Sequence, residues 1–180
     1  MRVIAGSLKG RRLKAPTWEG LRPTSDKLRE TLFNILAPRI EGARILDGYA
    51  GTGAVGIEAL SRGAAHVTFV DRDRRAQELI ADNLAHCGIR EGYAIIRASV
   101  ARALADLPGA SFDIMVFDPP YTEHPDAGVL GSAADRLAAD GVLVVEHARR
   151  DAAPDRAGRL VRTRDVISGD SALSFYSCPR

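Results

Sequence analysis

Ile45-Leu46-Asp47-Gly48-Tyr49-Ala50-Gly51-Thr52-Gly53-Ala54-Val55-Gly56, continued by Ile57-Glu58-Ala59-Leu60, is the stretch on which the fold turns. A short apolar strand from Arg44 to Asp47 enters a glycine-rich turn, and an alanine-rich helix leaves it. Strand, glycine turn and helix in that order open a βαβ unit, whose loop at the strand's carboxyl end faces a ligand. Gly51, Gly53 and Gly56 also satisfy G-x-G-x-x-G, the dinucleotide fingerprint. Asp71 ends the strand His66-Val67-Thr68-Phe69-Val70-Asp71, 20 residues after Gly51, where an acid can hold ribose hydroxyls. A nicotinamide-dependent oxidoreductase is therefore one reading of the loop.

Two features oppose it. In the dinucleotide version the first glycine follows the strand almost directly, so that pyrophosphate sits on the helix N-terminus. Here Asp47-Gly48-Tyr49-Ala50 intervenes, and an Asp at the strand end repels pyrophosphate. It attracts instead a ligand with a cationic amino group, such as S-adenosylmethionine, which carries a sulfonium, an amino-acid end and a ribose but no phosphate.

The second feature is Asp118-Pro119-Pro120-Tyr121, which follows the apolar run Phe112-Asp113-Ile114-Met115-Val116-Phe117. Two successive prolines cannot continue a strand ladder, since neither has an N–H to donate. Asp118, ahead of the first, is pushed into an extended conformation. The result is a rigid hook with an acid, backbone carbonyls and an aromatic ring. Such a hook suits a planar group bearing an NH2: Asp118 and a carbonyl accept both hydrogens while Tyr121 stacks on the ring. Hydride transfer has no use for it.

A chain of 180 residues, 46% hydrophobic, fills one core and leaves no room for two domains of ordinary size. No opening apolar run of signal or membrane-spanning length follows Met1, so a cytoplasmic protein is expected. Cys87 and Cys178 are far apart, fit a reducing compartment, and show no metal-ligand spacing. The net charge of +2 is too small to argue nucleic-acid binding, but its distribution is uneven. Residues 1–14 hold Arg2, Lys9, Arg11, Arg12 and Lys14 and no acid, on a stretch that reads as a hairpin turning near Gly6 or Gly10. Basic residues on a small flap suit phosphate contacts, although a solvated terminus is the plainer alternative. Thr24 or Ser25 then caps a helix whose apolar stripe, Leu28, Leu32, Ile35 and Leu36, is expected to end before Pro38. Arg22, ahead of it, can reach a phosphate or the donor's carboxylate, or merely cap the fold.

Beyond Asp71 strand and helix alternate, which predicts a doubly wound, mostly parallel α/β sheet. A helix from Arg74 to His86 ends at Gly88, and Tyr93-Ala94-Ile95-Ile96 is the third strand. Helices are expected from Val100 to Leu107 and from Val129 to Leu137, with strands at residues 112–117 and 142–145. Leu160-Val161 and residues 172–176 close the sheet as an antiparallel pair, for seven strands in all, and residues 149–159 read as a polar loop.

With MRVIAG and KGRRL, LRPTSDKLRETLFNIL, LDGYAGTGAVGIEALSRGA, FVDRD, DPPY and GDSALSFY, the chain resembles the RsmD-like family of class I methyltransferases. These bacterial enzymes methylate guanosine N2 in 16S ribosomal RNA, and generic methyltransferases lack the opening and RPTSD segments. The resemblance implies a Rossmann-like catalytic domain over residues 41–180, preceded by a basic, RNA-facing hairpin and helix over residues 1–40. It implies donor contacts from Asp47, Tyr49, Ala50, Gly51, Gly53, Asp71, Arg72, Ser99 and Val100, and base contacts from Asp118, Pro119, Pro120 and Tyr121. A monomer acting on ribosomal RNA, free or in a partly assembled small subunit, is expected. Gly48 stands where the family usually has a larger residue, an exchange expected to loosen the donor loop. Ser99 replaces a common Asp, and a hydroxyl accepts more weakly than a carboxylate. Among the histidines, His124 just past the hook is a candidate base, and the other three read as incidental. An adenine-N6 methyltransferase uses the same hook, but its usual target-recognition region has no room here. A non-catalytic RNA-binding module would need neither the ribose acid nor the hook.

Overall fold

The computed structural model describes residues 1–19, 25–120 and 125–179. Its elements run α1 (Asp26–Ile40), β1 (Arg44–Gly48), α2 (Ala54–Ser61), β2 (His66–Asp71), α3 (Arg74–His86), β3 (Tyr93–Arg97) and α4 (Val100–Asp106). They continue with β4 (Phe112–Phe117), α5 (Ala127–Arg136), β5 (Leu137–Ala148), β6 (Arg156–Ala157), β7 (Leu160–Ser168) and β8 (Ser171–Ser177). One sheet holds the strands in the order β3-β2-β1-β4-β5-β8-β7-β6. The first five are parallel, and β8, β7 and β6 add to them antiparallel.

The alternating side chains of the parallel strands feed two apolar layers. Ile45, Val67, Phe69, Ile114, Val116 and Val144 pack with α1, α2 and α3 on one face. Leu46, Val70, Met115, Phe117, Leu143 and Val145 pack with α4 and α5 on the other. That is the double winding expected of near-continuous apolar strands.

Some boundaries differ from expectation. The sheet has eight strands rather than seven, because Arg156-Ala157, inside the expected loop, pairs with Leu160-Val161. β5 begins at Leu137 rather than at residue 142, and a register irregularity between Phe112 and Ile114 accommodates the longer strand. α1 continues through Pro38, because a proline in the last turn removes only one helical hydrogen bond and buried Ile40 anchors the end. Ser25 is its N-cap, accepting from the Leu28 N–H at 3.1 Å.

The N-terminal hairpin is tied to the helical layer by buried polar groups. An antiparallel bridge joins Arg2 to Arg12, and Gly6 and Gly10 take the positive φ values its turn requires. Val3 and Leu13 enter the core beside α1 and α2. The fully buried Glu58 carboxylate accepts the Ile4 and Ala5 N–H groups at 2.7 and 3.0 Å and the Arg62 side chain at 2.7 Å. Ser61 accepts from Leu8 N–H at 3.0 Å and donates to the Ala5 carbonyl at 2.6 Å. Fully buried Arg29 donates to the Arg2 carbonyl at 2.6 Å and to Asp26 at 2.9 Å.

Glu58→Ala strands the Arg62 guanidinium and two hairpin N–H groups without their acceptor. Removing one member of a buried pair costs about 3–5 kcal/mol, so the urea midpoint should fall accordingly. A loss below about 1 kcal/mol, the range of an exposed pair, would show that the hairpin is held by its other contacts and not by Glu58.

Candidate active site

Parallel strands leave their carboxyl ends along one edge, where ligands of open α/β sheets bind. Four adjacent strands end there on acids: Asp71 on β2, Asp47 on β1, Asp118 just past β4, and Glu146 near the end of β5. All four line one cleft of about 930 Å³, a size suited to a small-molecule ligand.

The glycine loop is shaped to serve these acids. Asp47, 2% exposed, accepts the Gly56 N–H of α2 at 2.9 Å. Asp71 accepts the Gly51 N–H through one oxygen and the Asp73 N–H through the other, both at 2.9 Å. Each Asp71 oxygen keeps a further lone pair for a ligand hydroxyl. Tyr49 is held at φ 60°, a left-handed conformation that costs a non-glycine residue energy. Its ring meets the edge of Phe117 at 6.1 Å between centroids, which fastens the loop onto β4.

The expected donor residues Asp47, Tyr49, Ala50, Gly51, Asp71, Arg72, Ser99 and Val100 line the cleft, as do Asp118, Pro119 and Pro120. Gly53 is not among the lining residues: it takes φ 77° as the N-cap of α2, and a Cβ there would press on Ile80 at 3.3 Å. Ser99 caps α4 by accepting the Arg102 N–H at 3.2 Å, so one of its lone pairs is engaged within the protein. Gly48 is closely packed: a Cβ there would lie 2.7 Å from the Phe117 ring. Asp118 is anchored to the first loop through its N–H, which donates to the Gly48 carbonyl at 3.3 Å. Arg2, Lys9, Arg11, Arg12 and Lys14 are exposed on the hairpin, outside the cleft, and Lys14 pairs with Asp82 at 3.0 Å. Arg22, Tyr121 and His124 lie outside the described residues.

The cleft also gathers residues to which the sequence assigns no part in a site, Ser25 among them, expected only as a helix cap. Trp18, Ser25 and Lys27 close one side and residues 168–171, the β7–β8 turn, another. Trp18 is covered by the Arg75 guanidinium, 4.9 Å from its ring centroid. Among the described lining residues the acids Glu19, Asp47, Asp71, Asp73, Asp118, Glu146 and Asp170 outnumber Lys27, Arg72 and Arg75. That balance disfavours a pyrophosphate and favours a ligand with cationic groups. Glu146 was signalled by Val144-Val145-Glu146, which repeats the apolar-then-acid ending of Val116-Phe117-Asp118.

Burial holds the Asp47 carboxyl well above its ordinary 3.8; the Gly56 hydrogen bond opposes this, and the neighbouring charges of Asp118 and Asp71 add to it. A carboxyl raised in the folded state supports folding fully below 3.8, and that support is lost as pH climbs and the unfolded chain ionises first. Asp47→Asn keeps an oxygen for Gly56 and cannot ionise. Its stability advantage over the parent should therefore widen from acid to neutral pH in denaturant titrations. A pH-independent difference would mean that Asp47 is ionised without penalty.

Over 180 residues the chain is 40% identical to YlbH of Bacillus subtilis (strain 168), covering 98% of each protein. It is 35% identical over 178 residues to ribosomal RNA small subunit methyltransferase D of Escherichia coli (strain K12), covering 98% of this chain and 89% of that one. The solved structure of yhhF from Escherichia coli superposes with a TM-score of 0.86 at 33% identity, over 99% of this chain and 97% of that one. The fold is thus the class I methyltransferase fold, here with eight strands. Matching the model of conserved hypothetical protein 95 over residues 1–177, the chain belongs to that family, the RsmD-like family that its sequence resembles.

Proposed function

We propose that this protein transfers a methyl group from S-adenosylmethionine to the exocyclic N2 amine of a guanosine in small-subunit ribosomal RNA. The observation that carries the reading is a single cleft lined both by the loop around Asp71 and by the Asp118-Pro119-Pro120 hook. A donor-binding and an amine-binding element thereby share one space. Relatives whose names specify small-subunit ribosomal RNA support the substrate.

The residues fit such a donor. Asp71 offers two pre-positioned oxygens for ribose hydroxyls, and the acid-rich lining of the cleft suits cationic groups. Gly51 lets the backbone approach closely, and Ser99 and the Val100 N–H, from residues that line the same cleft, are proposed to read the donor's base edge. When bound, the donor supplies a methyl group already activated by its sulfonium. Asp118 and the Pro119 carbonyl accept the two amine hydrogens and aim the nitrogen lone pair along the breaking bond. Asp118 also offsets the positive charge that grows on nitrogen, so no strong base is needed before methyl transfer. Tyr121 is proposed to stack on the base. Residues 1–40 are proposed to face the RNA and residues 41–180 to carry the chemistry, in the cytoplasm, where ribosomal RNA is made. Because the hairpin packs into the core, its charges are better tested by side-chain exchange than by truncation.

Asp118→Ala should leave donor affinity in place and slow transfer about a hundred- to thousand-fold, the usual cost of losing one aligned electrostatic contact. Mass spectrometry of nucleosides from small-subunit RNA treated with either form reads the result. Turnover near the parent rate would sink the hook mechanism, and N6-methyladenosine as the product would replace guanine by adenine.

Replacing Lys9, Arg11 and Arg12 together by Gln should weaken RNA binding and flatten its salt dependence. Each lost phosphate contact removes about 0.7–0.9 from the log–log slope. Superimposable slopes for the two forms would place the RNA elsewhere.

A further inference from the structure

Glu146 has no part in the mechanism above, yet it is only 6% exposed and lines the same cleft. Its place follows from register. Phe117 of β4 pairs with Val145 of β5, so the next residue along each strand end sets Asp118 beside Glu146. Neighbouring strands stand about 4.8 Å apart. Across the order β2-β1-β4-β5, Asp71, Asp118 and Glu146 share the level of Tyr49 on β1, while Asp47 lies two residues further down β1. Asp71 marks the donor end of the row and Asp118 the amine to be methylated. Glu146 stands beyond Asp118, on the side away from the donor, where the rest of the acceptor base must lie.

Resting on the guanosine-N2 reading, we infer that Glu146 reads the N1–H of the target guanine and so sets the enzyme's preference for guanine over other amino-bearing bases. On the Watson–Crick edge of guanine, N1–H lies directly beside the N2 amine, so two donors point the same way. Two carboxylates on adjacent strand ends form the matching pair of acceptors. Adenine offers one amine beside an unprotonated N1, which is an acceptor and meets a carboxylate lone pair to lone pair. Low exposure makes the mismatch costly, because a buried carboxylate loses water on the wrong base without gaining a donor. Asp118 thus grips the nucleophile, while Glu146 checks the atom next to it.

The test separates N1–H from the N2 amine. Small-subunit RNA is assembled by ligation around a synthetic segment carrying guanine or 2-aminopurine at the methylated position. Both bases have the N2 amine, but 2-aminopurine has no hydrogen on N1. The wild-type protein should favour guanine by at least about a hundredfold, as sites built around a buried hydrogen bond do. In Glu146→Gln, guanine methylation should fall about tenfold, since the amide oxygen still accepts N1–H but without charge, while 2-aminopurine methylation holds or rises, since the amide can donate to a bare N1. Glu146→Asp, which keeps the charge on a shorter stem, should retain part of the preference. S-adenosylmethionine affinity and melting temperature should match the parent in both variants.

An undiminished guanine preference in Glu146→Gln overturns the inference. So does an equal loss on both bases accompanied by weaker donor binding or lower melting, which would make Glu146 a structural residue. A wild-type protein that yields no N2-methylguanosine at all would instead remove the reading on which the inference rests.

Discussion

Four parallel strands that end side by side on carboxylates impose a constraint that the surrounding structure answers. Carboxylates gathered on neighbouring strands repel one another, and Asp47 feels both Asp118 and Asp71 while cut off from water. The glycine loop supplies the first part of the answer. Gly56 and Gly51 turn their N–H groups onto Asp47 and Asp71, and the Asp73 N–H completes the second cradle. Only a chain free to take left-handed turns at Gly51 and Gly53 can bring these donors round so tightly. The proposed ligands supply the rest: a sulfonium donor and an amine-bearing base both bring positive or hydrogen-donating groups to a rim short of them.

The N-terminal hairpin presents the same problem in reverse. Glu58 and Arg29 are fully buried on the helical layer, and the hairpin backbone is among the partners of both. A flap recruited through buried ionic groups is held in one position, because leaving it would strip Glu58 of two N–H donors and Arg29 of a carbonyl. Its exposed cations are therefore displayed on a fixed platform, which suits recognition of a shaped RNA surface better than a loose basic tail would.

The parallel core was legible because its strands are short apolar runs punctuated by glycine, proline and acid. The start of β5 was not, since Ala138-Ala139-Asp140-Gly141 looks like a turn and is held in the strand by pairing across a register irregularity. β6 escaped notice because a two-residue strand has no periodicity to detect. The glycine loop and the hook could be read because their residues are contiguous and backbone geometry demands those types. Trp18, Lys27, Glu146 and residues 168–171 meet the cleft from segments far apart in sequence. Their convergence comes from strand order, which local patterns do not encode. Ser99 shows the opposite case: its capping role follows from its neighbour at residue 102, yet it was read for ligand contacts alone.

Gly48 looked like a loosened position, but the Phe117 ring occupies the volume that a side chain there would take. The two sites lie across the β1–β4 ladder and share one volume. An evolving lineage cannot enlarge residue 48 while keeping the phenyl ring where it is, because the intermediate is overpacked across the β1–β4 ladder. Nor can it simply shrink residue 117, which would leave a void under the strained Tyr49 and remove the ring that steadies it. Exchange at one position therefore becomes tolerable only in company with the other. Packing couples the two positions and pins the glycine as firmly as chemistry pins the acids.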